Sequence, residues 1–187
     1  MEGADDSEDR ILHGVLEADT EAAAAQPLEI ERKFLVDALP DSDDSVSRKD
    51  VVQGYLAIED SGIVVRLRRM DNRCFQTVKG AGYMVRVERE IEMTPEQFGE
   101  LWPATNGRRV EKTRYEMPLN GLTIELDVYH GWLQGLYTAE VEFKSITESE
   151  TFVPPAWFGP EVTNDHRYKN SYLALNGIPE PSRNTCL

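Results

Sequence analysis

The sequence predicts an α+β chain that is mainly β: a closed eight-stranded antiparallel β-barrel with a polar, charged lumen and a few flanking helices. Three observations carry this expectation. From residue 28 onward apolar and polar residues alternate with period two, the pattern of half-buried strands. Turn signals break the alternation at short intervals, so that consecutive strands are joined as hairpins. The non-apolar faces carry charge almost throughout, in blocks such as Glu-x-Glu and Arg-x-Arg. Closure follows from the hairpin order, because a ring leaves no exposed strand edge.

The first strand, residues 28 to 36, reads LEIERKFLV and sets Glu29, Glu31 and Lys33 opposite Leu28, Ile30 and Phe34. Strand 51 to 58 contains QGYL and ends at the turn EDSG. In strand 62 to 70, GIVVRLRRM, the residues Ile63, Val65 and Leu67 back a cationic face of Arg66 and Arg68. After the turn MDN, strand 73 to 79 puts Phe75, Thr77 and Lys79 in one register, and KGAG follows. Strand 84 to 93 aligns Arg86, Glu88, Glu90 and Glu92 opposite Val87 and Ile91. Then TPEQFGELW supplies a helix start, with Thr94 as N-cap, Pro95 at the first helical position and an early Glu96.

Strand 108 to 118 sets Lys112 and Arg114 on one face with Thr113 and Tyr115 on the other, and Asn120-Gly121 turns the chain. Strand 121 to 129 places Glu125 and Asp127 opposite Ile124, Leu126 and Val128. Past the turn LQG, strand 137 to 145 places Glu140 and Glu142 opposite Ala139, Val141 and Phe143. A short helix follows Ser145, and RYKNSYLAL forms another near the C-terminus.

The chain has 187 residues and a formal net charge of −14, enough length for one sizeable core and the wrong field for nonspecific nucleic-acid or anionic-membrane binding. Residues 1–27 hold eight acids against Arg10 and little apolar periodicity, so they read as an acidic, disordered tail. Residues 28–178 then form the one domain, and 179–187 a C-terminal tail. The acidic start lacks the basic and apolar regions of a signal peptide. Cys74 and Cys186 form no metal-binding or redox spacing, which points to a reduced, cytoplasmic setting. His13, His130 and His166 are isolated, and Trp102, Trp132 and Trp157 read as packing residues.

If every charged face turns to one side of a barrel, acids and bases line its lumen while the apolar sides meet outer helices. Burying many charges is costly unless they neutralise one another or hold ions. A polyanion with a divalent metal satisfies both signs: Arg and Lys bind phosphate oxygens, and carboxylates bind Mg2+ or Mn2+.

The residues that build this lumen also carry a resemblance. EIERKFLV, with Glu29, Glu31 and Lys33, resembles the Glu-x-Glu-x-Lys signature of the CYTH domain, the triphosphate tunnel metalloenzyme superfamily. QGYL, RLRR, TVKG, RVERE, VEKTRY, ELDVY, AEVEF and WFGPEVTNDHRYKNSYLA follow in the order of its short bacterial-type members, over about residues 28 to 176. The resemblance is greatest to the bacterial inorganic triphosphatases, and it implies metal-dependent hydrolysis of tripolyphosphate to diphosphate and phosphate, with Mg2+ or Mn2+ as cofactor and a small-molecule triphosphate as the partner.

Carried over to this sequence, the resemblance assigns Glu29, Glu31, Glu140 and Glu142 to metal, with Asp127 as a further metal or water contact. It gives Lys33, Arg66, Arg68, Lys79, Arg86, Lys112 and Arg114 to the phosphate chain, and among these it makes Lys33, Lys112 and Arg114, together with Glu29 and Glu31, catalytic. Glu88, Glu90 and Glu125 are acids of the same faces without a fixed role, and Lys169 stands either at one mouth or on a solvated helix face. Three rival functions remain open at this point: a thiamine triphosphatase, a class IV adenylate cyclase, and a polyphosphate-binding module without turnover.

Overall fold

The computed structural model describes residues 28–37, 39–40, 46–80 and 85–180; for 28, 29 and 85–87 it describes the backbone alone. The expected tails, 1–27 and the end of the chain from 181, lie outside the described residues. Among the described residues nine antiparallel strands dominate: β1 (Leu28–Val36), β2 (Ser47–Ile58), β3 (Val64–Met70), β4 (Arg73–Lys79), β5 (Val85–Met93), β6 (Arg109–Leu119), β7 (Leu122–Tyr129), β8 (Tyr137–Phe143) and β9 (Phe158–Glu161). Among the described residues three short α-helices accompany them: α1 (Pro95–Leu101), α2 (Ile146–Thr151) and α3 (Asn170–Asn176).

The strands run in the order β5-β4-β3-β2-β6-β7-β8-β1-β9. One edge of β1 pairs with β8, from Ile30 opposite Phe143 to Leu35 opposite Thr138. The other edge is shared. Its start meets β5 through Leu28, Glu29 and Ile30 against Val87, Arg86 and Val85, and its end pairs with β9 through Phe34 and Val36. A fully closed eight-stranded barrel is therefore corrected on both counts: the sheet has nine strands, and it curls until β5 touches β1 over three residue pairs only. The reason is that the rest of this β1 edge is taken. The Val162 N–H donates to the Lys33 carbonyl at 2.8 Å, and the Lys33 N–H donates to Thr163 Oγ1 at 3.0 Å, leaving β5 no further ladder to join. The sequence hides β9 because Gly159 and Pro160 interrupt it, which an edge strand tolerates and a central strand does not.

The expected turns EDSG, MDN, Asn120-Gly121 and LQG fall between strands, the KGAG turn runs into residues outside the described ones, and most strand ends shift by a few residues. β2 begins at Ser47, four residues before the expected start at 51, because Ser47 to Asp50 continue the ladder to β6 in spite of their charge. Thr94 caps α1 in a complete capping box with Gln97, and Ser145 caps α2 by accepting from the Glu148 N–H. The C-terminal helix is shorter than RYKNSYLAL: His166–Tyr168 form a 3-10 turn capped by Asp165, and Lys169 is the extended N-cap of α3.

Apolar strand faces point outward beneath the helices and loops. Phe98 of α1 packs with Leu67, Cys74 and Trp102, and Gly54 allows the 3-10 turn after α1 to approach β2, since a Cβ there would lie 2.5 Å from Thr105 Oγ1. A second cluster, with Ile30, Leu126, Val141 and Phe143, lies under Phe152, Trp157 and Phe158. The third stands at one end of the curled sheet, where Tyr55, Val110 and Tyr129 pack with Leu173 and Ala174 of α3. The expected polar, charged lumen has a charged centre, and apolar side chains of α3 pack at one end of it. Trp132, expected to pack, is 57 % exposed. Among the described residues no helix is long and apolar enough to cross a membrane.

Candidate active site

The charged strand faces converge on one cavity of about 720 Å³, within the ~300–1,000 Å³ typical of small-molecule sites. Its wall contains Glu31 and Lys33 of β1, Arg66 and Arg68 of β3, Lys79 of β4, Glu88 and Glu90 of β5, Lys112 and Arg114 of β6, Glu125 of β7, and Glu140 and Glu142 of β8. Period-two pleating puts these side chains on one face, and the antiparallel registers bring them level with one another. Lys169, at the start of α3, also lines the cavity. For Glu29 and Arg86 the pairing of their backbones across β1 and β5 is described, and their side chains are not.

The cations of this wall are matched to carboxylates. Lys33 Nζ lies 3.0 Å from Glu140, Lys79 Nζ lies 2.6 Å from Glu88, and Arg68 lies 2.8 Å from Glu90. Arg66 spans Thr77 Oγ1 at 3.1 Å and Glu88 at 3.4 Å. Arg114 donates to both oxygens of Asp127 at 2.8 Å and to Glu140 at 3.1 Å, and also to Glu125. Lys112 Nζ donates to Asp127 Oδ2 as well. Asp127 is fully buried, so both its oxygens are committed to cations. Two donors are left over: Arg66 Nε and Arg68 Nε are buried without an acceptor among the described residues.

Burial and charge pull the ionisations apart. Burial opposes ionisation of Glu140 and Asp127, but Lys33 and Arg114 on the one, and Arg114 and Lys112 on the other, hold both carboxyls below their usual range. Glu125 goes the other way, because burial outweighs its contact with Arg114. Lys112 is pushed down to about 8 by burial and by the neighbouring Arg114 charge, against the pull of Asp127. Lys33 is raised in spite of burial, because Glu140 faces it.

The carboxylates lie in like-charged pairs. Glu31 stands directly opposite Glu142 across β1 and β8, and Glu125 stands opposite Glu140 across β7 and β8. Arg114 bridges the second pair. Like charges in direct register destabilise a sheet unless a cation lies between them. Among the described residues no group of three or more His, Cys, Asp or Glu is gathered as a ready metal cage. The opposed side chains of Glu31 and Glu142 are both carboxylates, whose oxygens suit a hard divalent ion rather than a soft one.

Sequence reasoning named most of this wall and missed Gln53, Tyr55 and Thr77 as polar members. All three are buried; Gln53 and Tyr55 line the cavity, and Thr77 holds Arg66 and donates to Glu90 at 2.8 Å. The available signal was register: Gln53 lies opposite Arg68, Tyr55 opposite Arg66, and Arg66 opposite Thr77.

A curled antiparallel sheet whose interior is lined by paired cations and carboxylates defines the class, and the chain belongs to the CYTH domain family, whose model matches residues 27–161. The chain is 49% identical over 149 residues to an inorganic triphosphatase of Nitrosomonas europaea, spanning 79% of this chain and 97% of that one. It is 36% identical over 151 residues to an inorganic triphosphatase of Acetivibrio thermocellus, across 79% of this chain and 94% of the relative. Among solved structures, the inorganic triphosphatase NE1496 superposes with a TM-score of 0.63 at 48% identity, covering 81% of this chain and all of the other.

Proposed function

We propose that this protein is a metal-dependent inorganic triphosphatase, hydrolysing tripolyphosphate to diphosphate and phosphate inside the charged cavity. The observation that carries the reading is the pair of orphaned N–H groups on Arg66 and Arg68, buried in a wall of further cations and facing no acceptor among the described residues. A polyanion supplies the missing acceptors. Both closely similar relatives described above are inorganic triphosphatases, which supports the same substrate here.

Glu29, Glu31, Glu140 and Glu142 would hold Mg2+ or Mn2+, with Asp127 serving as counter-ion to Lys112 and Arg114. The metal would neutralise phosphate charge and lower the pKa of the attacking water. The chain's own contribution is an exchange of partners. When a triphosphate enters, Lys33, Arg66, Arg68 and Lys79 turn from carboxylates to phosphate oxygens, joined by Lys112 and Arg114, which keep Asp127, with Arg86 and Lys169 as further phosphate contacts. Charge accumulates on the bridging oxygen as the bond to the terminal phosphorus breaks, and Lys112 and Arg114, fixed by Asp127, stand ready to stabilise it. Glu88 and Glu90 keep Arg66, Arg68 and Lys79 extended into the cavity in the meantime. Water is the nucleophile, so no covalent intermediate is required. A reducing, cytoplasmic compartment fits the free, buried thiol of Cys74.

Phosphate release from tripolyphosphate, thiamine triphosphate and ATP, measured side by side with Mg2+ and with EDTA, tests the reading. Tripolyphosphate should be hydrolysed fastest and only with metal. Binding of tripolyphosphate with no turnover under any metal would instead make the domain a polyphosphate-binding module.

A further inference from the structure

Arg32 stands between two residues of the site, Glu31 and Lys33, on the opposite face of β1, and it does not line the cavity. Its half-buried guanidinium joins three elements. Nε and one terminal nitrogen hold the two oxygens of Glu161 on β9, at 3.0 and 2.6 Å, and the other terminal nitrogen donates to the carbonyls of Ser149 and Phe152 at the end of α2, at 2.8 and 3.3 Å. The group also lies over the rings of Phe34 and Phe152, 5.1 and 5.9 Å from their centroids. From Glu161 the contacts return to the cavity. Thr163, on the cavity wall, donates its hydroxyl to Glu161 Oε1 at 2.7 Å and accepts the Lys33 N–H at 3.0 Å, while the Val162 N–H holds the Lys33 carbonyl at 2.8 Å. Lys33 lies where this edge of β1 passes from β5, paired through Ile30, to β9, paired from Phe34. Between the two ladders its backbone is held by a side chain, and Arg32 holds that side chain through Glu161.

We propose that Arg32, acting through Glu161 and Thr163, is a positioning residue for Lys33, fixing the backbone from which that ammonium reaches the substrate phosphates; the inference rests on the triphosphatase reading. Lys33 exchanges Glu140 for phosphate oxygens when substrate binds, so its side chain moves and its backbone is the fixed base of the motion. A displacement of ~1 Å at that base is carried to the ammonium, and misplacement of this size costs up to ~10²-fold in rate. Thr163 is no phosphate donor in this scheme, because its one hydroxyl hydrogen is committed to Glu161. Arg32 suits the task by geometry rather than by charge: a planar fork holds one carboxylate by two bonds and reaches two carbonyls besides, which a lysine ammonium cannot do. The Arg32 hydrogen bonds also hold the Glu161 carboxyl below its usual range, so it stays an acceptor for Thr163.

The test is a pair of double-mutant cycles with Lys33, read as tripolyphosphate affinity in EDTA, where nothing is hydrolysed, and as kcat/KM with Mg2+. Thr163→Val keeps the shape and removes the hydroxyl, whereas Arg32→Lys keeps the charge and removes the fork. Each should weaken binding by about fivefold and lower kcat/KM by about tenfold, and Thr163→Ser, which keeps the hydroxyl, should stay within about twofold of wild type. In a Lys33→Met background, itself weaker in binding, neither change should cost anything further, because both act through the ammonium already lost. A general loosening of the fold would instead cost the same factor in either background. That result overturns the proposal, as do wild-type values in Thr163→Val or in Lys33→Met. Should Arg32→Lys not fold, because it also loses the carbonyls of α2, Thr163→Val and Thr163→Ser in the two backgrounds decide alone. If the wild-type protein itself neither binds nor cleaves tripolyphosphate, the triphosphatase reading is what fails, and this inference falls with it.

Discussion

Arg114 on β6 and Asp127 on β7 face each other across the sheet and are joined by two hydrogen bonds of 2.8 Å, with the carboxylate wholly buried. The pair anchors a cation that also reaches Glu125 and Glu140. A buried ion pair of this kind sets geometry more than it adds stability, and removing one member leaves the other desolvated and unpaired.

Asp127→Ala should therefore destabilise the fold by about 3–5 kcal/mol, or roughly 10 °C in Tm for a chain of this size. Arg114 and Lys112 would lose their shared counter-ion, and an added polyanion would replace it. Thermal melts in EDTA with and without tripolyphosphate should show the ligand stabilising Asp127→Ala more than the wild type. Equal shifts in both proteins would show that Asp127 does not govern the charge that the substrate meets.

Lys112 gives the site a pH dependence of known sign. Its pKa is about 8 in the folded chain against an ordinary 10.5. Between those values the unfolded chain holds a proton that the folded chain has released, so this group makes stability rise with pH across the window and weighs against the fold below it. Binding works in the opposite direction. A bound polyanion favours the charged lysine, so above about pH 8 binding takes up a proton, and affinity in EDTA should fall with pH by at most about tenfold per unit. Calorimetry at pH 9 in two buffers of different ionisation enthalpy measures the uptake, and Lys112→Arg should abolish it.

The like-charged pair of Glu31 and Glu142 predicts an unusual combination of effects. Glu142→Gln keeps the volume and removes one of two opposed charges, so the metal-free protein should melt at the same temperature or slightly higher. Turnover with Mg2+ should nonetheless fall by two or more orders of magnitude. Ca2+ added against Mg2+ should inhibit the wild type, because its larger and looser shell misaligns water and phosphorus. A variant that melts lower and keeps its activity would make Glu142 a structural residue on a solvated strand.

Most of this cavity was legible in the sequence because its determinant is local: period two fixes which side chains share a face, and the uniform charge of those faces identifies them. Lys33, Arg66, Arg68, Lys112, Arg114 and Glu140 lie where alternation puts them. What stayed hidden depends on partners remote in sequence. The commitment of Asp127 to Lys112 and Arg114 depends on the register of β6 against β7, and strand composition alone does not reveal that register. The incomplete seam of the sheet depends on β9, whose claim on β1 joins residues about 130 apart. Tyr55 carries no charge to mark its face in the sequence, and its place on the cavity wall emerges from its pairing with Arg66.

The last prediction concerns which triphosphate is preferred. A free tripolyphosphate has two like ends and can occupy Lys33, Arg66, Arg68, Lys79, Lys112 and Arg114 without needing room for anything else. ATP carries less charge on its innermost phosphate and must place a nucleoside at one end of the cavity. At one end Tyr55, Val110 and Tyr129 pack against α3, and Tyr172 and Leu175 of that helix narrow the space; toward the other lie the opposed Glu31 and Glu142. Either placement leaves cations unpaired or forces a ring against carboxylates, and both effects raise the barrier rather than the affinity for the ground state alone. Tripolyphosphate should exceed ATP in kcat/KM by at least about tenfold, or roughly 1.4 kcal/mol. Competition kinetics with both substrates under Mg2+ measures the ratio directly. An ATP value equal to or above that for tripolyphosphate, or cyclic AMP among the products, would move the protein to a nucleotide substrate, and the edge-on contact of His166 with Tyr172 at 5.3 Å would then be the first place to seek the base.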